Sequence, residues 1–242
     1  GHKWPIGNAT RGRAITVLAR TEDKPGPRAL SLVLVDKTEV DPATLAYRAR
    51  RPLHGIRGAD ISGIDFAGTI VSADRRVGAP GQGIEIVLKS LQVTRTLCAA
   101  LSLGAGDQAL AYLAAAGVDA AVIARGAADL LLAEAVAFAG ARLFHVAPGE
   151  MALTSAFVKV LVPDLVDGVI RDGSPALGVS ALLEDGPSAA WEKVARDAKV
   201  VSIFDGNSVV NLNVVINELP NIARGVDEEA GDVDAFAFDR DA

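Results

Sequence analysis

Asp205 stands at the end of an apolar run and against a glycine: Val200-Val201-Ser202-Ile203-Phe204 leads into Asp205-Gly206, within RDAKVVSIFDGNSVVN. Two chemistries suit a carboxylate placed this way. It can cap the amphipathic run that follows, since Asp is a preferred residue ahead of a first helical turn. It can also act as a base, because a carboxylate held close to a substrate and partly desolvated can take a proton from a weakly acidic C–H bond. Local pattern favours the cap. Arg95, in SLQVTRTLCAA, is the second candidate. An arginine between apolar helical positions is either an exposed charge or a buried one that needs a carboxylate or carbonyl partner.

The remaining reactive residue types point elsewhere. His2, His54 and His145 are far apart and none has metal-ligand spacing, so no metal site is expected. Cys98 is the single cysteine, which excludes an internal disulfide and argues against a cysteine-based zinc site. Within LCAALSL it reads as a small core residue. GAPGQG (78–83) and LGAGDQA (103–109) lack the G-x-G-x-x-G spacing of a dinucleotide loop. The first reads as a strand-to-helix turn, the second as close helix packing. HGIRGADISG (54–63) and GNATRG (7–12) read as surface loops.

The elements that must position these residues change character along the chain. AITVLAR (14–20) and ALSLVLVD (29–36) are strand-length apolar runs around a turn-rich EDKPGPR, and GIDFAGTIVS (63–72) reads as one or two further strands. After Gly83 apolar residues recur at three- and four-residue spacing. One long helix is expected there, with a break near Gly104 or Gly106. A second is expected over 127–147, a third over 150–172 kinked or restarted at Pro163, a polar connection over 172–188, and a last helix from about Asn207 to Ile222. The expectation is an α+β chain: a barrel-like or sandwich β domain (1–82), an antiparallel four-helix bundle (83–224) and a mobile acidic tail (225–242).

The totals bound the partners. The 242 residues carry a net charge of -6 and half of them are hydrophobic, with no sustained basic patch. That argues against nucleic acid as the main partner. No signal peptide and no apolar run of about 20 residues is evident, so no membrane association is expected and the cytoplasm is the default compartment.

Taken together, several segments resemble the acyl-CoA dehydrogenase family. Arg196, Asp197, Ala198, Lys199, Ile203, Phe204, Gly206 and Ser208 fall in register with that family's C-terminal R-D-A-K-[IV]-x-x-I-[YF]-E-G-T-[ST] segment. HGIRGADISGIDFAGTIVSADRRVGAPGQGIEIVLKSLQVTR is similar to the stretch that ends the family's β domain and opens its helical one. GHKWPIGNAT looks like its flavin-contacting G-x-K-x-W-I-[TS]-N-[GA] strand. The resemblance spans about residues 1 to 224 and begins inside the β domain; the family's N-terminal helical domain has no counterpart in it.

The resemblance implies a fold of β domain and C-terminal four-helix bundle, FAD as cofactor, and oxidation of an acyl thioester, CoA- or carrier-bound, to its α,β-enoyl form. It implies Asp205 as the base, at the position of the family's glutamate. It implies Trp4, Ile6, Gly7, Asn8 and Asn207 as cofactor contacts, and Phe204, Gly206, Arg95 and Thr94 as substrate contacts or supports of the site. It further implies an electron acceptor, a place in fatty acid or secondary metabolism, and a homodimer, homotetramer or hetero-oligomer. The chain also departs from the family pattern. Pro5 and Gly7 stand where Trp and Thr/Ser are expected, with Trp4 one place early; an R-x-x-F-G segment after ALAYL and a Q-x-x-G-G-x-G segment near 175–186 have no counterpart. These departures leave an alternative, a non-catalytic structural subunit of the same fold that assembles with an active partner.

Overall fold

The computed structural model describes residues 1–225. The segment 226–242, most of the acidic tail, lies outside the described residues. The chain forms two compact units, Gly1–Ser90 and a second from Leu91 onward.

The first unit is built from antiparallel strands. The runs rich in Val, Ile and Leu form β2 (Ala14–Arg20) and β3 (Leu30–Asp36), paired over seven positions from Ala14–Asp36 to Arg20–Leu30. A third sheet member, β6 (Arg76–Val77), pairs with Leu32 and Val33. The other sheet has the order β1 (His2–Gly7), β5 (Ile61–Phe66), β4 (Leu45–Arg48). The expected strand over 63–72 thus starts two residues earlier and leaves the sheet after Phe66. The barrel-like expectation is corrected: closure needs an unbroken ladder around the unit, and here two three-stranded sheets each keep free edges. The two sheets share a small apolar centre in which Val17 and Val35 from one meet Leu45 and Phe66 from the other, with Val40 between.

The helices begin with α1 (Gly83–Leu97) and α2 (Ala99–Ala115). The break between them is at Cys98, not at Gly104 or Gly106. Both glycines are inside α2, and Gly106 is there for contact: a Cβ at that position would lie 2.7 Å from Leu130 Cδ1. Gly140 and Gly173 admit Val158 and Trp191 in the same way. α3 (Ala120–Val146) starts seven residues before its expected beginning, because Asp119 caps it, its carboxylate accepting from the Ala121 N–H at 2.7 Å. α4 (Met151–Leu177) runs through Pro163 and ends five residues past its expected end at 172. Short 3-10 turns then lead to α5 (Ala189–Ala198), which the sequence reading did not anticipate, and to α6 (Ser208–Gly225).

α4 is the central helix of the second unit and packs on α2, α3, α5 and α6. Its residues serve two apolar clusters. Val158 and Val162 meet Ala99 and Ala133. Val166, Val169 and Ile170 meet Ala109, Leu113, Leu130 and Trp191. Among the described residues one helical stretch, Gly83–Ala115, is by length and composition apolar enough to cross a membrane, with a mean hydropathy of 1.3 over its best window. Its apolar positions Ala99, Ala109 and Leu113 belong to those two clusters, and its Arg95 is bonded inside the unit.

Candidate functional site

The connection from α5 to α6, residues 199–207, is coiled into turns. The N–H groups of Ile203 and Phe204 both donate to the Val200 carbonyl, at 3.0 and 3.1 Å, and Val201 donates to Ala198 at 3.1 Å. Val201 is buried and Ile203 points outward. The coil ends in two left-handed residues, Asp205 at φ 53° and Gly206 at φ 91°. Asp tolerates that region better than most residues with a side chain. Gly206 is needed for space as well: a Cβ there would lie 3.0 Å from Arg95 Nη2 and 3.3 Å from Asn211 Nδ2.

The cap of α6 is Asn207, not Asp205. Asn207 Oδ1 accepts from the Val210 N–H at 2.9 Å, and its carbonyl accepts from the Asn211 N–H at 3.1 Å. The cap reading of Asp205 is therefore set aside, and its half-buried carboxylate is left for other work. Asn211, fully buried, donates through Nδ2 to the carbonyls of Gly206 and Asn207 at 2.9 and 3.0 Å. The turn and the first turn of α6 are thus locked together.

Arg95 is buried at 5% exposure, and its Nε donates to the Asp205 carbonyl at 2.9 Å. A charged donor makes this bond worth about 1.5–3 kcal/mol. Burial lowers the Arg95 pKa, and the Asp205 charge acts in the opposite direction. The Cys98 thiol lies 3.7 Å from Asp205 Oδ2. Its pKa is pushed up to about 11, first by burial and then by the Asp205 charge. The thiol therefore stays protonated at neutral pH and faces the carboxylate as a weak donor.

Sequence reasoning missed Lys159. It lies on α4 at 2% exposure, donates to the Val201 carbonyl, and holds its Nζ 4.5 Å from the centroid of the Phe204 ring. Burial lowers its pKa. The available signal was its setting: no other charged residue occurs from Met151 to Pro163.

The structure brings Arg95, Phe204, Asp205, Gly206 and Asn207 together. Thr94 is exposed, and its hydroxyl bonds the Leu91 carbonyl within α1 at 3.3 Å. The other expected cofactor contacts lie in the first unit. β1 is an edge strand; it presents Trp4 at 40% exposure, a half-buried Ile6, and Gly7, where a Cβ would meet nothing within 4 Å. Asn8 follows at φ 57°, its N–H donating to the Asp60 carbonyl at 2.8 Å. An exposed aromatic beside an uncovered strand edge suits a flat ring with polar edges, so these residues fit a flavin. Trp4 also lines an open cleft of about 690 Å³ with Arg48, Arg50 and Arg51. Among the described residues no group of three His, Cys, Asp or Glu side chains could hold a metal ion.

Residues 81–219, from the last turn before α1 to the middle of α6, match the family model described as acyl-CoA dehydrogenase, C-terminal domain. The chain belongs to the acyl-CoA dehydrogenase family. The resemblance carried by RDAKVVSIFDGNS is borne out. It is 25% identical over 224 residues to cyclohex-1-ene-1-carbonyl-CoA dehydrogenase of Geobacter metallireducens, covering 87% of this chain and 57% of that protein. It is 24% identical over 240 residues to cyclohexane-1-carbonyl-CoA dehydrogenase of Syntrophus aciditrophicus, covering 90% and 61%. Butyryl-CoA dehydrogenase from Megasphaera elsdenii shares the fold, with a TM-score of 0.82 at 21% identity over 91% of this chain and 59% of that one. The chain thus spans less than two thirds of the length of these acyl-CoA dehydrogenases.

Proposed function

We propose that this chain belongs to an FAD-dependent enzyme that oxidises an acyl thioester to its α,β-enoyl form, with Asp205 as the base. The observation that carries the proposal is the Asp205 turn: a half-buried carboxylate, freed from helix capping, on a backbone held by the buried Arg95. Asp205 takes the α-proton of the thioester. Phe204 is proposed to support the site from the position before the carboxylate, and Gly206, at φ 91°, allows the backbone to reverse after Asp205. Asp is one methylene shorter than the glutamate of the family segment, so the turn has to carry the carboxylate further forward for proton transfer. Trp4, Ile6, Gly7, Asn8 and Asn207 are the residues proposed to hold FAD. The flavin, when bound, supplies the acceptor for the β-hydrogen as hydride. Arg95 supports the site from α1.

The relatives' names support a CoA thioester as substrate, with a ring-bearing acyl group among the first to try; a carrier-bound acyl group is the other form. An electron acceptor is the further partner of this reading. The helices associate as a four-helix bundle within an oligomer, the domain limits are 1–82 and 83–224, and the protein works in the cytoplasm. The second reading, a non-catalytic subunit, draws on the departures from the family pattern: Gly7 where the family strand has a hydroxyl, and no counterpart to the R-x-x-F-G and Q-x-x-G-G-x-G segments.

The test begins with flavin absorption of the purified protein and its bleaching by acyl thioesters. D205N is expected to keep its flavin and lose turnover by at least about 100-fold, the upper part of what one acid–base group contributes. Flavin bleaching by D205N at the wild-type rate would remove Asp205 from the reaction. Absence of flavin after incubation with FAD would favour the structural subunit.

A further inference from the structure

We propose that Lys159 is a positioning residue for Asp205, holding the 199–207 turn from its buried side. The inference rests on the reading of Asp205 as base and adds a residue that the family resemblance did not supply. A lysine at 2% exposure between the core residues Val158 and Val162 must be anchored, since an unpaired buried ammonium is strongly disfavoured. Both of its anchors are on the turn that ends in Asp205. Nζ donates to the carbonyl of Val201, four residues ahead, and lies 4.5 Å from the ring centroid of Phe204, the residue immediately ahead. An ammonium this close to an aromatic face is attracted to it.

The turn is therefore gripped from two helices. Arg95 at the end of α1 bonds the Asp205 carbonyl. Lys159 on α4 binds the two positions that set where Asp205 begins. The charged and titratable groups facing Lys159 are Asp205 on the turn, and Cys98 and Arg95 from the α1–α2 junction. Asp205 and Cys98 favour the ammonium, while Arg95 and burial oppose it. In return the ammonium favours ionisation of the Cys98 thiol, against burial and Asp205. Cys98 thus reports on the cluster without any catalysis. Proton transfer is sensitive to small misplacements of the base, and a carboxylate with a short side chain has less freedom to compensate for a slack backbone. Lys159 is proposed to remove that slack.

The experiment compares wild type, K159Q and K159M as purified flavin-bearing proteins. Gln keeps a donor for the Val201 carbonyl and drops the charge; Met drops both. Both variants are expected to retain flavin and a KM for the acyl thioester within about twofold of wild type. Their kcat is expected to fall, on the order of 10-fold for K159Q and 100-fold for K159M, the cost of misplacing a reacting group by about 1 Å. The pH midpoint for alkylation of Cys98 by iodoacetamide is expected to rise in both. Wild-type kcat in K159Q overturns the proposal. So does a proportional loss of flavin and activity, which marks a structural role only. If K159M does not fold, K159Q decides. If the wild type bleaches with no thioester, the reading of Asp205 as base fails on its own account. The alkylation midpoint then tests Lys159 alone, and an unchanged midpoint overturns its coupling to the Asp205 cluster.

Discussion

At the scale of single residues, the Asp205 turn depends on groups whose roles oppose their usual ones. Asp205 precedes a helix yet does not cap it, because Asn207 stands in the cap position. Gly206 is a glycine for two reasons at once, its φ of 91° and the Arg95 guanidinium pressed against it. Replacing it with alanine is expected to cost about 1–3 kcal/mol, the range for a residue forced into a sparse backbone region. Thermal or urea unfolding of G206A measures this. Stability equal to wild type would mean that the turn has room that the 3.0 Å approach to Arg95 denies. Asp205 was legible in the sequence because it sits in a long, specific motif. Lys159 was not. A lysine in an apolar helical run looks the same whether its stem lies along the surface with the head in water or its head is buried. Only the arrival of the Val201 carbonyl and the Phe204 ring from a segment 42 to 45 residues away distinguishes the two.

At the scale of elements, legibility followed length and periodicity. β2 and β3 were readable because seven-residue runs of β-branched and aliphatic residues allow few alternatives. β4 was not, since its four residues are mostly exposed and show no alternation. It exists because β5 offers it a ladder. α5 was missed for a related reason: it is ten residues long and buries only Trp191 and Ala198 fully. The Asn8–Gly12 turn after β1 was read as a surface loop, but Asp60 pins it. The Asp60 carboxylate accepts from the Thr10 hydroxyl at 2.5 Å and from the Ser62 hydroxyl at 2.8 Å. These bonds, Thr10 first, hold the Asp60 pKa below its ordinary 3.8. A carboxylate depressed in the folded state stabilises above its unfolded pKa, and the contribution fades as pH falls through the folded value. D60N is therefore expected to be less stable than wild type near neutral pH, with the gap closing as pH falls below the ordinary value of 3.8 and through the lowered folded value. Melting curves of both proteins across the acid range check this. A gap that persists in acid would assign the loss to packing instead of charge.

At the scale of the whole molecule, the apolar surface is uneven. On α3, Leu131, Leu132 and Phe138 are each at least half exposed, and Leu97 and Leu101 are similarly bare beside the Cys98 break. Helices apolar on more than one face need more than one partner. The protein is expected to sediment as a multiple of the 24.9 kDa chain. Replacing Leu131, Leu132 and Phe138 with glutamine is expected to shift it to a smaller species without loss of helix content. A wild type that sediments as a single chain would show that this surface stays open in solution.

Pro163 adds a mechanical consequence. Its ring nitrogen cannot donate to the carbonyl one turn earlier, which is that of Lys159. α4 is about 40 Å long by its residue count. It is better regarded as two rods joined at that point than as one lever. The first rod serves the cluster of Val158 and Val162, the second that of Val166, Val169 and Ile170. Repacking around Trp191 is expected to be taken up first at this point, where the helix lacks one backbone bond.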